Sequence, residues 1–346
     1  MIGMLRKHRR NILQGLAVIG VTTLCFMILE KCVKDQQEMY NKERARLWLM
    51  ARHEIDGTIT LNGTVRPNRC DECFKFHYRM LKEYPETCKN PGNIQLVLLI
   101  STTPKALKRR MVIRETWLTY AKKNLANVRY AFILGAIHDV NLQEMIDEED
   151  KYYKDFVQGD FPDNYYTLTI KTLLGYHWAA KHCPNDTFVV KTDDDVYINI
   201  PAMLDITTKH GTQLQHSIGG FCREDIGPVR DIESKYYVSY AEYPSEKFKG
   251  YCSGTGYVTS MNVVKKVAQI SKNIPFFHLE DVYIAFCIEE LKFSLYHIDG
   301  FNTVYEEDKY TTLCSLKSDS VVVLHNFKKR PSFLLEIWNV LCYTES

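Results

Sequence analysis

Eighteen consecutive residues without a charge, Ile12 to Leu29, follow four fixed positive charges in "RKHRR" (Arg6 to Arg10). That length is at the short end of what crosses a bilayer as a helix. Glu30 to Glu38 is mixed and slightly acidic. The positive-inside rule therefore puts the amino terminus on the cytosolic side and everything after residue 30 on the other. A cleaved signal peptide is the competing reading, but the run exceeds a usual h-region and no small-x-small cleavage site follows it. The expected organisation is a cytosolic tail (1–11), a transmembrane signal anchor (12–29), a stem (30–91) and a folded domain (92–346).

The cysteines agree with an oxidising compartment. Of eleven, Cys25 falls in the apolar run and Cys32 just beyond it. Nine remain: Cys70, Cys73, Cys88, Cys183, Cys222, Cys252, Cys287, Cys314 and Cys342. An odd number leaves at least one free or paired between chains, and Cys32 is a candidate bridge for a homodimer. "CDEC" (Cys70 to Cys73) has the form of half a zinc site. No second Cys-x-x-Cys or His pair follows at finger spacing, so it reads as a disulfide. Two sequons, at Asn62 and Asn185, fit exposure on the same side of the membrane.

With 45% hydrophobic residues over 346 positions, the chain can bury a large core. Lys+Arg 44 against Asp+Glu 42 gives no basic excess, which argues against a nucleic-acid partner. After "CKNPGN", strand and helix patterns alternate. Ile94 to Thr102 is a continuous apolar strand, followed by a helix carrying "RRMVIRETW". Val128 to Ala136 is a second strand, "NLQEMIDEEDKYYKD" a second helix, and Thr167 to His182 a third. "TFVVKT" is the next strand. This order predicts an α/β, doubly wound, mostly parallel sheet.

That last strand runs into three aspartates, Asp193, Asp194 and Asp195. Continued as a strand, they would put Asp193 and Asp195 on one face. The carboxyl end of a central strand is where open α/β sheets hold ligands. Two hard carboxylates there suit Mg²⁺ or Mn²⁺. An EF-hand is excluded because Ile198 and Leu204 stand where its Gly and Glu belong. The bland alternative is a solvated acidic turn. A metal at this point would bind a nucleotide diphosphate and offset charge as it leaves, the chemistry of group transfer. A second acidic pair, Glu280 and Asp281, opens a helix after Pro275. By itself it reads equally as an N-cap or a partner of the helix dipole.

Seven motifs in chain order resemble the β-1,3-galactosyltransferase family (glycosyltransferase family 31). They are "RRMVIRETW" (109–117), "GDF" with "LTIKT" (159–161, 168–172), "KTDDDVYIN" (191–199), "PVRD" with "SKYYVS" (228–231, 234–239), "YCSGTGYV" (251–258), "EDVYIAFC" (280–287) and "LHNF" (324–327). The resemblance implies a GT-A type fold, Rossmann-like, in a type II Golgi membrane enzyme. It implies an inverting, Mn²⁺- or Mg²⁺-dependent transfer of galactose from UDP-galactose to a glycan ending in an N-acetylhexosamine. A donor of UDP-GlcNAc or UDP-GalNAc is the alternative within the family, and a non-catalytic lumenal binding protein the alternative outside it. By position, Asp195, His325 and Asp193 resemble the metal set. Asp193, Asp194, Arg109, Arg114 and Lys171 resemble donor contacts, and Asp281 resembles the general base. Tyr251, Gly254 and Glu280 resemble acceptor contacts. "FKGY" (248–251) departs from the family, which usually carries two prolines before the aromatic residue, and this leaves the acceptor-side loop open.

Overall fold

The computed structural model describes residues 66–89, 93–302, 312–325, 327 and 329–342, together with Lys31. The chain divides into compact units at residues 1–53 and 54–346, and, Lys31 apart, the described residues belong to the second. The expected span 12–29, Asn62, Cys25 and Cys32 lie outside them. Among the described residues no helix is long and apolar enough to cross a membrane.

The chain passes through β1 (Met80–Lys82), β2 (Leu96–Ser101), α1 (Leu107–Glu115), β3 (Val128–Ala136), α2 (Val140–Tyr153), β4 (Phe156–Pro162) and α3 (Leu168–His182). It continues through β5 (Phe188–Asp193), β6 (Val196–Ile198), α4 (Ile200–Lys209), α5 (Gly211–Leu214) and β7 (Ser217–Arg223). Beyond a long loop come β8 (Tyr251–Ser260), α6 (Met261–Ile270), α7 (Glu280–Glu290), β9 (Ser294–His297), β10 (Phe301–Asn302), β11 (Val323–His325) and α8 (Phe333–Asn339).

An eight-stranded sheet runs in the order β1-β4-β3-β2-β5-β8-β7-β9. Strands β4, β3, β2 and β5 are parallel, as the strand–helix alternation predicts. The second half is mixed: β8 is antiparallel to both β5 and β7, and β7 is parallel to β9. Side-chain alternation along β2 builds two cores. Leu96, Leu98 and Ile100 pack with Val112, Ile113 and Trp117, while Val97 and Leu99 pack with Ile170, Leu173 and Trp178 of α3. A strand covered on both faces needs apolar residues at every position, so β2 reads as an unbroken apolar run.

The expected stem ends earlier than residue 91. Met80–Lys82 pairs antiparallel with β4 as an edge strand, and Cys88 is bonded to Cys183 at the end of α3. Arg66 is buried, donating to the carbonyls of Pro275 and Phe276 and lying over the rings of Phe286 and Phe277. Residues 66–89 are thus packed on the folded domain. Charge and weak periodicity hid this, because a strap makes its contacts residue by residue rather than through one apolar face.

Among the described residues four disulfides form, Cys70–Cys73, Cys88–Cys183, Cys222–Cys252 and Cys314–Cys342, and Cys287 is a buried free thiol. The "CDEC" pair is therefore a disulfide, and Cys287 accounts for the odd member of the nine.

Candidate active site

Asp193 is the last residue of β5, and the chain turns through Asp194 and Asp195 into β6. Only Asp193 belongs to the strand, so the Asp194 and Asp195 side chains are set by the turn rather than by strand alternation. Strand β6 pairs with β11 antiparallel, His325 opposite Val196, and β10 completes this small sheet. That register brings His325 Nε2 to 3.4 Å from Asp195 Oδ1, and the Phe327 N–H donates to the Asp195 carbonyl at 3.1 Å. Gly256 permits the approach of β11 to β8, since a Cβ there would meet Val323 Cγ1 at 2.9 Å.

Asp194 faces the protein. Its carboxylate accepts from Thr102 Oγ1 at 2.6 Å and from Arg109 Nε at 2.7 Å, and its backbone N–H donates to Ser101. Its side chain is 7% exposed. Asp194 is accordingly a fastening between the triplet, β2 and α1 rather than a donor contact. Arg109 stands beside the triplet with its guanidinium committed to Asp194 on two nitrogens.

Arg114 and Lys171 do not join the triplet. Arg114 is buried against Asp155 and Glu149 at 2.8 and 2.7 Å, with its guanidinium 3.8 Å from the Tyr153 ring centre. Lys171 donates to the Thr102 carbonyl at 2.6 Å and pairs with Asp163 at 3.0 Å, and Asp163 in turn accepts from the Gly135 N–H. Both cations are buried and neutralise carboxylates that tie strand ends together, so the structure places their charges on Asp155, Glu149 and Asp163 rather than on the triplet. Arg114→Met is expected to cost about 3–5 kcal/mol, because Glu149 and Asp155 lose a buried partner. Chemical unfolding reads this directly, and nucleotide affinity of the folded variant stays unchanged; an arginine that bound nucleotide would show the reverse.

Asp281 lies in the first turn of α7. Its carboxylate accepts from the Gly254 N–H at 3.2 Å and the Val282 N–H at 3.0 Å. Burial, reinforced by the neighbouring Glu280 charge, pushes its carboxyl up to about 6, against the two backbone N–H groups and Lys191. Glu280 itself is 3% exposed, pairing with Lys191 Nζ at 3.1 Å and accepting from the Tyr257 hydroxyl at 2.7 Å. It is an internal counter-ion, not an acceptor contact: its carboxylate faces inward from the helix. Gly254 serves through its backbone, and a Cβ there would come within 2.9 Å of Glu280 Oε2. Tyr251 is half-buried, its phenol raised by burial and by the nearby Asp281 charge.

Sequence reading missed Lys191. It is 1% exposed and donates to Gly254 O at 2.6 Å, Asp193 Oδ1 at 3.0 Å and Glu280 Oε2 at 3.1 Å. A lysine inside an apolar strand, two residues before an aspartate and so on its face, was the available signal. Tyr165 was missed as well; burial raises its phenol, as do the charges of Asp281 and Asp193. Because Lys191 draws Asp193 toward β8, the expected three-member metal set is not assembled. Among the described residues no group of three or more His, Cys, Asp or Glu is placed to hold a metal. Asp195 and His325 remain as a pair, one carboxylate and one imidazole. Such a pair fits a divalent cation that takes its other ligands from phosphate and water. Asn185 is exposed on the turn before β5, consistent with its sequon.

The sequence model of the galactosyltransferase family matches residues 108–299, more than half of the chain, and takes in the triplet, Lys191, Gly254 and Asp281. Human β-1,3-galactosyltransferase 2 is 31% identical over 297 residues, spanning 83% of this chain and 68% of that protein. Human β-1,3-galactosyltransferase 5 is 34% identical over 246 residues, spanning 71% of this chain and 78% of that protein. A solved glycosyltransferase involved in glycosylation of the major capsid of PBCV-1 is similar at a TM-score of 0.39 and 11% identity, over 71% of this chain and 100% of that one. On the family match and the extent of these relatives, the chain belongs to the galactosyltransferase family.

Proposed function

We propose that this galactosyltransferase is an inverting β-1,3-galactosyltransferase of GT-A type, moving galactose from UDP-galactose to a glycan ending in an N-acetylhexosamine. The observation that carries the reading is the buried Lys191 ammonium, which joins the aspartate triplet to the helix start bearing Asp281. Donor-side carboxylates and a candidate base thus meet at the carboxyl end of β5.

UDP-galactose is α-linked, so a β product requires one displacement from the opposite face. The acceptor 3-hydroxyl oxygen bonds to the anomeric carbon as the bond from that carbon to UDP breaks, and the hydroxyl proton passes to Asp281. Asp195 and His325 would hold Mn²⁺ or Mg²⁺; when bound, the ion neutralises charge on the leaving diphosphate. Arg109, fixed by Asp194, keeps positive charge beside the triplet. Four disulfides support an oxidising compartment. We extend the proposal to a single-pass type II Golgi protein held by residues 12–29, with its catalytic domain lumenal.

A panel of UDP-sugars against GlcNAc, GalNAc and Gal acceptors tests the reading. β-1,3-linked galactose on an N-acetylhexosamine is the expected product; transfer of GlcNAc or GalNAc alone refutes the donor assignment, and no transfer refutes the enzyme. The pH profile follows from Asp281. It accepts a proton only when ionised, so with its carboxyl at about 6 the rate is full well above that pH. Below it, kcat is expected to fall about tenfold per pH unit. A rate still flat at pH 4.5 would remove Asp281 from the role.

A further inference from the structure

We propose that Lys191 is a positioning residue that locks the base Asp281 to the donor-side Asp193, acting through the Gly254 peptide and Glu280. The proposal rests on the glycosyltransfer reading above and deepens it.

An ammonium has three N–H donors, and three acceptors from separate parts of the fold meet them at Lys191. Asp193 comes from the end of β5, the Gly254 carbonyl from β8, and Glu280 from the start of α7. Gly254 is held at its amide as well, where its N–H, in the preceding peptide unit, donates to Asp281. Glu280 precedes Asp281 directly, and its second oxygen is fixed by the Tyr257 hydroxyl, which Tyr176 backs at 3.3 Å. Asp281 is therefore located twice over, through the peptide it accepts from and through the residue it follows, and both routes end on Lys191. A Cβ at 254 would come within 2.9 Å of Glu280 Oε2, so a side chain there would displace the Glu280 carboxylate.

One cation serving two carboxylates in a buried site leaves excess negative charge. Of the two carboxylates, Asp193 is the one on the donor side and the more open, its side chain 29% exposed where Lys191 is 1% exposed. The shared ammonium makes the geometry at the base depend on what Asp193 faces.

Two variants test this. Glu280→Gln keeps the shape and an oxygen for Lys191 while removing the charge; Lys191→Met removes the link, with circular dichroism and a thermal melt establishing that it folds. Other groups facing Asp281 are the Gly254 and Val282 N–H groups and the phenols of Tyr165 and Tyr251, and none is altered. The expected result for each folded variant is a kcat about 10- to 100-fold lower, since small misplacement of a reacting group carries penalties of that size. KM for UDP-galactose should stay within about twofold for Glu280→Gln, and its acid limb of kcat should move to lower pH because one anion beside Asp281 is gone. Wild-type kcat and an unmoved acid limb in the folded variants overturn the proposal. So does a loss of rate that merely tracks loss of folded protein with the limb unmoved. If wild-type protein transfers no sugar in parallel assays, the glycosyltransfer reading falls first and takes the positioning role with it.

Discussion

Asp281→Asn is expected to lower kcat by about 10²–10⁴-fold, the range for removing a positioned general base. The amide keeps the size of the side chain but has no basic oxygen for the acceptor proton. One of its two positions now presents NH₂ to a backbone N–H, either that of Gly254 or that of Val282. That costs about 1–3 kcal/mol of stability and leaves a folded enzyme. UDP affinity should be unchanged, because the proposed displacement uses Asp281 on the acceptor hydroxyl and not on the diphosphate. Full residual activity of the purified variant would end the assignment of the base.

Chelation carries the second large effect. EDTA is expected to stop transfer and added Mn²⁺ to restore it. Asp195→Ala and His325→Ala should each lose about 10²-fold or more even with Mn²⁺ present. Several kcal/mol of charge stabilisation at the leaving diphosphate is at stake, and each ~1.4 kcal/mol is tenfold in rate. The Asp281 carboxyl is set by burial, Glu280, Lys191 and two backbone N–H groups, so UDP binding should weaken in these variants while the acid limb of the pH profile stays in place. Turnover indifferent to chelator would remove the metal role from both residues, leaving their 3.4 Å contact as an ordinary ion pair.

The place of the triplet was visible in the residues: the apolar run before Asp193 is a central strand that ends there. The family motifs singled out Asp281 and His325, which the structure sets beside Gly254 and Asp195. The metal set is where reading by position fell short. Position placed Asp193 and Asp195 together as ligands, whereas the turn at 194–195 and the pull of Lys191 separate their partners. Arg114 and Lys171 fared similarly: their motifs are right, but their charges are spent on Asp155, Glu149 and Asp163. Glu280 read as an N-cap or helix-dipole partner and, by resemblance, as an acceptor contact; only the buried Lys191 beneath α7 shows it as an internal counter-ion.

Local pattern determined the order of strands and helices from β2 to β5, the buried character of β2 and the parity of the cysteines. Each is a property of neighbouring side chains or of a count, and needs no partner from elsewhere in the chain. Tertiary structure alone decided which carboxylate is paired, with what, and how deeply. Charge in a protein interior is governed by contacts between β5, β8 and α7, elements far apart in sequence and brought together by the antiparallel β5–β8 pairing and the packing of α7 against it.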